Sequence, residues 1–293
     1  MDRAASTRAR PATFTGIGAQ KTASTWLHGV LAQLPGVSTS DPKELDFFSS
    51  TFDRGYEWYE RHFDPDAAHR GEVSPSYFID ADAPERARRY NPDMRILVTL
   101  RDPVARAYSN HMHEVRAGHV SGANLCFESA LENNPLYIEQ GRYPLHLRRW
   151  TDAFGADNVL VLFQEDIRAD ADMQTRRVAD FLGIDGSATV VQRKANESAE
   201  YRNRTVGMTL WRAGRLARRA GLGGAVEGIK QLPGIRQFRA ANRREIRDTV
   251  EPMTPETERR LTDLYRAEVA ELADLVGRMP PWPRFRESRE RDR

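Results

Sequence analysis

Hydrophobic positions along this chain follow two periods, one typical of strands and one typical of helices. Continuous apolar runs at Ile96–Leu100 and Val159–Phe163 are typical of strands in the middle of a parallel sheet, where both faces are covered. A short strand at Thr13–Ile17 is followed by apolar residues at helical spacing, and the same spacing marks Ala171–Leu182 and Pro255–Val276. Strands that alternate with helices predict an α/β fold with a parallel central sheet flanked by helices.

The composition is that of a globular chain. Its 293 residues, 40% hydrophobic and 29% charged, suffice for one large core, so we expect a single domain over residues 13–293. Residues 1–12 are basic and lack the apolar stretch of a signal peptide, which predicts a disordered lead-in. The chain has no run of about 18 apolar residues, so we expect no transmembrane helix. The single cysteine, Cys126, excludes an intramolecular disulfide and indicates a reducing, cytoplasmic compartment.

The net charge of +2 is unevenly distributed. Residues 202–247 hold twelve Lys and Arg against two Glu, which leaves a net charge of −8 on the rest of the chain. A basic segment on an acidic body indicates an anionic partner, although a solvated basic helix would have the same composition. No nucleic-acid partner is expected, because neither interleaved aromatic residues nor a known binding module accompanies the basic residues. The sequence makes no prediction of the oligomeric state.

A candidate phosphate site lies between the first strand and the first helix. Here a glycine-containing turn leads to Lys21, and a helix starts near Ser24. Backbone N–H groups of such a turn and of a helix N-terminus face an anion, and Lys21 adds a full positive charge. The sequence does not match the Walker motif, because Gln20 stands where that motif needs glycine. It does not match the dinucleotide-binding fingerprint either, because Lys21 replaces the third glycine. An ordinary strand–turn–helix corner with a surface lysine remains the alternative.

A second candidate anion site begins where the strand Ile96–Leu100 ends. Arg101 follows that strand directly, and Ser109 lies eight residues further on. Ligands of α/β proteins bind at the carboxyl ends of strands, where a guanidinium can hold a phosphate bidentately and a serine can add a hydroxyl donor. Asp102 and Pro103 also predict the N-cap and the first position of a helix. A strand end followed by a capped helix, with no phosphate site, is therefore the alternative interpretation of this segment.

The two motifs together resemble sulfotransferases that use 3′-phosphoadenosine 5′-phosphosulfate (PAPS). The pattern K-x-[GA]-[ST]-T-W at Lys21 resembles their 5′-phosphosulfate loop, with Ala23 in place of the usual glycine, and Arg101 with Ser109 resembles their 3′-phosphate segment. The resemblance implies a P-loop-NTPase-like sulfotransferase fold, the product PAP (adenosine 3′,5′-bisphosphate) and no metal. The cofactor-binding residues that it implies are Lys21, Thr22, Ala23, Ser24, Thr25, Trp26, Arg101 and Ser109.

Two further segments resemble the heparan-sulfate and carbohydrate branch of that family and suggest a soluble bacterial member. Lys43–Phe48 is similar to K-E-x-H-F-F, whose glutamate is the general base, which implies Glu44 as the base here. Glu72–Phe78 is similar to E-K-[ST]-P-x-Y-F, which lines the acceptor cleft. Val73 replaces its lysine, so we expect an acceptor with fewer anionic groups than heparan sulfate. The implied substrate-binding residues are Asp46 (in place of a family histidine), Phe47, Phe48, Ser74 and Tyr77.

The expected reaction is sulfuryl transfer to the hydroxyl of a carbohydrate or a small natural-product alcohol. Because a hydroxyl has a high pKa, a carboxylate such as Glu44 must take its proton as the O–S bond forms. His113, with His111, is the rival, since cytosolic small-molecule sulfotransferases use a histidine base. The resemblance also implies that Arg202 or Arg204 closes over the 3′-phosphate. The alternatives are a P-loop-like nucleotide-binding kinase and a non-catalytic PAPS-binding protein.

Overall fold

The computed structural model describes residues 10–185, 199–201, 243–245 and 250–286. In this part of the chain a five-stranded sheet has the order β2-β3-β1-β4-β5, and each neighbouring pair is parallel, which confirms the predicted fold class. Its strands are β1 Phe14–Gly18, β2 Val37–Thr39, β3 His69–Val73, β4 Arg95–Leu100 and β5 Val159–Phe163.

Helices connect these strands, and several end signals in the sequence are used as predicted. Asp102 Oδ1 accepts from Ala105 N at 3.0 Å, and Thr254 Oγ1 accepts from Thr257 N at 3.2 Å, so both residues are N-caps. The helices are α1 Ser24–Leu31, α2 Tyr56–Glu60, α3 Ala83–Tyr90, α4 Pro103–Ala117, α5 Phe127–Asn133, α6 Leu136–Glu139, α7 Tyr143–Phe154, α8 Gln164–Ala169, α9 Ala171–Leu182 and α10 Pro255–Val276; β6 Ala199–Tyr201 and β7 Arg243–Glu245 form an antiparallel pair.

Aliphatic side chains of α1 and α9 pack on the parallel sheet. Burial of one large aliphatic side chain contributes about 1.5–3 kcal/mol, so this contact fixes α1, and hence the loop before it, against the strands. The buried cluster includes Phe14, Leu97 and Leu162 from the sheet, Leu27 and Leu31 from α1, and Val178 and Leu182 from α9.

The described residues divide into two compact units. One holds residues 10–110, 131–185 and 254–286 and contains the whole parallel sheet; the other holds 111–130, 199–201, 243–245 and 250–253. The single domain over 13–293 stays a prediction. None of the described helices combines the length and apolar character needed to cross a membrane.

The boundary predicted for the disordered lead-in needs a correction. Ala12 is fully buried, and its N–H donates to the hydroxyl of Tyr90 at 2.7 Å. The chain is therefore fixed against α3 just before β1 begins, because the main chain that enters the sheet must be paired. Residues 1–9 lie outside the described part of the chain.

A buried threonine joins the loop after β1 to the neighbouring strand β4. The Thr22 hydroxyl lies within donor distance of two carbonyl oxygens, 2.5 Å from that of Ala19 and 2.7 Å from that of Thr99, and 2.9 Å from the Thr99 hydroxyl. Ala19 N also donates to Thr99 O at 2.8 Å. These bonds place the loop beside the last residues of β4, directly before Arg101.

Replacement of Thr22 by valine tests this connection. Thr22→Val keeps the size of the side chain but removes the buried hydroxyl, so we expect the free energy of unfolding to fall by about 1–2 kcal/mol. Thr15→Val is the matched control: Thr15 is equally buried in β1, and its hydroxyl has no hydrogen-bond partner among the described residues. Urea denaturation should show no loss for the control, and equal losses for the two variants would contradict the connection.

Candidate functional site

The loop between β1 and α1 has a backbone that most residues avoid. Lys21 and Ala23 adopt φ of +66° and +87°, a left-handed conformation that costs a non-glycine residue about 1–2 kcal/mol. Gly18 has φ +103°, and a Cβ there would lie 2.7 Å from the main chain of Pro75. Such conformations persist only where the surroundings over-determine them, as the Thr22 bonds do here. The positive φ of Ala23 also gives a physical reason for the glycine in the motif that this loop resembles.

The N-terminus of α1 is suited to an anion. The helix begins at Ser24 without a side-chain cap, and no acidic residue lies in its first turn. The first N–H groups of a helix have no partner within the helix, and its dipole favours negative charge there. Lys43 Nζ lies 3.4 Å from Ser24 Oγ, so a lysine from the loop after β2 joins Lys21 at this end of the helix.

The loop after β2 brings the predicted base to α1. Glu44 forms an ion pair with Lys43, its side chain is 45% exposed, and its backbone has φ +66°. His28 lies one turn after Ser24 and close enough to interact electrostatically with both members of the pair; burial lowers its pKa, Lys43 lowers it further, and Glu44 opposes the shift. His28 Nδ1 is buried and has no hydrogen-bond partner in the described part of the chain.

Sequence reasoning did not assign Lys43 or His28 to the site. The adjacency of Lys43 to Glu44 was a usable signal, because neighbouring opposite charges in a loop at a strand end lie at the ligand-binding edge of a parallel sheet. For His28 the signal was its spacing of four residues from Ser24, which places both on one face of the helix.

A buried carboxylate lies behind this loop. Glu72, at the end of β3, is fully buried and accepts a hydrogen bond from Leu45 N at 2.8 Å. The hydroxyls of Ser74 and Tyr77 also donate to it. Burial raises the pKa of Glu72 from its ordinary value of 4.5 to about 7, and these three hydrogen bonds oppose that rise.

Of the residues implied to contact the acceptor, Asp46 is partly exposed, and burial raises the pKa of its carboxyl although Ser76 donates to it at 2.5 Å. The side chains of the other four lie in the protein interior. Phe47, for example, stacks on Tyr59 with ring centroids 4.4 Å apart. The four residues with fully buried side chains are Phe47, Phe48, Ser74 and Tyr77.

A cavity of about 310 Å³ lies beside Glu44, the predicted base. One wall is Trp58, whose ring lies 4.8 Å from the Arg54 guanidinium. The lining combines polar side chains with apolar surface, which suits a ligand that has both hydroxyl groups and an apolar face. The lining residues are Pro42, Glu44, Leu45, Asp46, Ser50, Thr51, Arg54, Trp58 and His62.

Arg101, which follows β4, is fixed through its main-chain carbonyl, whereas one nitrogen of its side chain makes no hydrogen bond within the described part of the chain. Tyr143 OH donates to Arg101 O at 2.8 Å, and Arg101 Nε is buried without a hydrogen-bond partner among the described residues. Burial lowers the pKa of Arg101, and the neighbouring guanidinium of Arg168, in α8, lowers it further. Sequence reasoning missed Arg168. Ser109 lies on α4, two turns into the helix that follows Arg101.

The histidine rivals, His111 and His113, lie in the second unit. His111 is buried; its Nε2 lies 3.0 Å from Leu125 O, and burial lowers its pKa. Arg116 donates to His113 Nδ1 at 2.7 Å along the same helix face.

Of the remaining predicted residues, two lie in α1 and two lie outside the described part of the chain. Thr25 is exposed in the first turn of α1, and Trp26 packs against the aliphatic cluster. Arg202 and Arg204 lie outside the described residues. Within the described ranges, no three His, Cys, Asp or Glu side chains converge as metal ligands would.

Comparison with known proteins places this geometry in a family. A family model described as a sulfotransferase domain matches residues 16–204, more than half of the chain. The chain is 29% identical over 192 residues to the human bifunctional heparan sulfate N-deacetylase/N-sulfotransferase 2, which covers 58% of this chain and 22% of that protein. It is 32% identical over 149 residues to the mouse heparan sulfate glucosamine 3-O-sulfotransferase 6, covering 48% of this chain and 43% of that protein.

The chain thus spans less than half the length of these curated relatives. The crystal structure of a sulfotransferase from Alicyclobacillus acidocaldarius matches with a TM-score of 0.66 and 24% identity, over 92% of this chain and 97% of that one. That likeness confirms the predicted sulfotransferase fold. The family match shows that the chain belongs to the sulfotransferase domain family.

Proposed function

We propose that this protein transfers a sulfuryl group from PAPS to an acceptor hydroxyl. One observation carries the proposal: Thr22 binds the strained Lys21 loop to the strand that ends at Arg101. Lys21 and Arg101 therefore follow two adjacent strands and lie at the same edge of the sheet. A donor with phosphate groups at both ends would need one cation at each end. The heparan sulfate relatives support sulfuryl transfer in general; by name, one transfers to oxygen and the other to nitrogen.

The charges at this edge fit a polyanionic donor. Lys21 and the first N–H groups of α1 would hold the 5′-phosphosulfate, and Arg101 with Ser109 would hold the 3′-phosphate. Arg168 lies close enough to Arg101 to repel it, and Glu165 and Asp102 offset part of that repulsion; a phosphate held by both guanidinium groups would offset more of it. Bound at this site, PAPS supplies the activated sulfuryl group.

Glu44 takes the proton in the proposed step. The proton passes from the acceptor oxygen to the Glu44 carboxylate as the new O–S bond forms. The bond between sulfur and the 5′-phosphate oxygen breaks, and its electron pair stays on the phosphate, where Lys21 offsets the added charge. As in phosphoryl transfer, positioning and electrostatics supply most of the catalysis.

The acceptor would occupy the cavity beside Glu44. Its volume of about 310 Å³ is near the lower end for ligand sites and suits a single ring with polar substituents. Asp46 lines it and is our proposed acceptor contact, whereas the buried Phe47, Phe48, Ser74 and Tyr77 support the loop from behind. Carbohydrate or natural-product alcohols fit this lining.

Arg101→Ala tests the donor site. Loss of a charge-assisted contact costs about 1.5–3 kcal/mol, so the affinity for PAP should fall on the order of tenfold or more. The affinity for AMP, which lacks the 3′-phosphate, should change little. Arg95→Ala is the matched control, because Arg95 is an exposed arginine at the opposite end of the same strand. Calorimetric titration measures both ligands, and equal losses for PAP and AMP would refute the 3′-phosphate assignment.

Glu44→Gln tests the base. The variant keeps the shape of the side chain but cannot accept a proton, so sulfuryl transfer from labelled PAPS should drop by about 10²–10⁴ while PAP binds normally. The matched variants are His113→Ala and His28→Ala, for which we expect mild effects. Near-normal transfer by Glu44→Gln, with transfer abolished in either histidine variant, would move the base to that histidine.

A further inference from the structure

Three main-chain N–H groups of the segment that follows Glu44 are bound by side chains of a single segment, residues 72–77. Each side chain reaches a different N–H group, so the loop is fixed along its length and not at one point. The contacts are Leu45 N to Glu72 Oε2 at 2.8 Å, Asp46 N to Ser74 Oγ at 3.1 Å and Phe48 N to Tyr77 OH at 3.1 Å.

All three contacts end on one carboxylate. Ser74 accepts from the loop and donates its own proton to Glu72 Oε2, and Tyr77 accepts from the loop and donates to Glu72 Oε1. Glu72 binds the loop directly through Leu45. A carboxylate accepts at both oxygens, which no other side chain of this size does, so the ionised form of Glu72 orients both hydroxyls of the network.

The surroundings of Glu72 make this network rigid. Its side chain is fully buried, and the groups that act on it are Tyr59, Tyr77, Ser74, Asp46 and the Leu45 N–H. In such a low-dielectric setting, hydrogen bonds are stronger and an unpaired group is costly, so alternative arrangements are disfavoured. The neighbour of Leu45 is Glu44, whose positive φ needs surroundings that fix it.

We propose that Glu72 is a positioning residue for the transfer reaction. It binds the main chain of segment 45–48 directly at Leu45 and, through the hydroxyls of Ser74 and Tyr77, at Asp46 and Phe48. In this way it holds Glu44 in its left-handed conformation at the cavity. This inference rests on the proposed function in that Glu44 is the base. Glu72 itself has no exposed atom and does not contact the reactants.

Amide hydrogen exchange of the full chain tests the structural part without any substrate. Glu72→Gln keeps one acceptor oxygen but loses the second, so the amides of Leu45, Asp46 and Phe48 should exchange at least tenfold faster. Amides of β4 should be unchanged. Tyr77→Phe is a milder second variant, in which the Phe48 amide should exchange faster. Unchanged protection at all three loop amides in both variants would overturn the proposal.

Tyr90→Phe is the matched control for Tyr77→Phe. The Tyr90 hydroxyl also accepts from a main-chain N–H, that of Ala12, but it does so at the start of β1. The control should therefore leave exchange at the segment 45–48 as it is. If it raised exchange there as much as Tyr77→Phe does, the effect would be general loosening, and the proposal would fail.

Turnover tests whether Glu72 acts through the base. Glu72→Gln and Tyr77→Phe should lower kcat by tenfold or more while PAP affinity stays within twofold of the unmodified protein. In a Glu44→Gln background they should cause no further loss, because residues that act through one group are not additive. Full additivity would overturn the proposal.

The two assignments fail in different ways. Full activity of Glu44→Gln would refute Glu44 as the base and, with it, the part of this inference that concerns catalysis. Faster loop exchange with unchanged kcat would also refute the catalytic part while leaving the donor site intact, since PAP binding is measured separately.

Discussion

The bond between Thr22 and Thr99 is the constraint on which the site depends. The loop after β1 contains two residues in a strained conformation, and a buried hydroxyl shared with β4 offsets that strain. Because Arg101 directly follows β4, the same bond holds the lysine loop beside the strand that leads to the arginine. The proposed donor carries negative charge at both ends, and two adjacent parallel strands would supply a cation for each end.

The acceptor side of the site is built differently. The loop that carries Glu44 belongs to no helix or strand, and it is fixed by side chains from the end of β3. A buried carboxylate, Glu72, is the common end point of those bonds. One edge of the sheet therefore has two kinds of support: a buried hydroxyl bonded to β4 for the loop of Lys21 and a polar network for the proposed base.

Much of the fold could be predicted, because strand and helix periods and cap residues such as Asp102 are local properties of the sequence. The location of Lys21 and Arg101 at one edge of the sheet was predictable for a similar reason, since each stands in the segment that follows a strand. The contacts of Glu72 with Leu45 join residues 27 positions apart, and no local pattern reports them. The burial of Phe47 likewise depends on rings from other elements, so the aromatic pair was assigned to the acceptor when its contacts are internal.

The central claim is that this edge of the sheet binds a nucleotide with a 3′-phosphate and does so without a metal. Isothermal titration of the full chain with PAP, ATP and GTP in the absence of Mg²⁺ tests it most directly. We predict that PAP binds at least tenfold more tightly than either triphosphate, a difference of about 1.4 kcal/mol or more. Preferential binding of ATP or GTP, with PAP binding weakly or not at all, would contradict it and favour a nucleotide kinase.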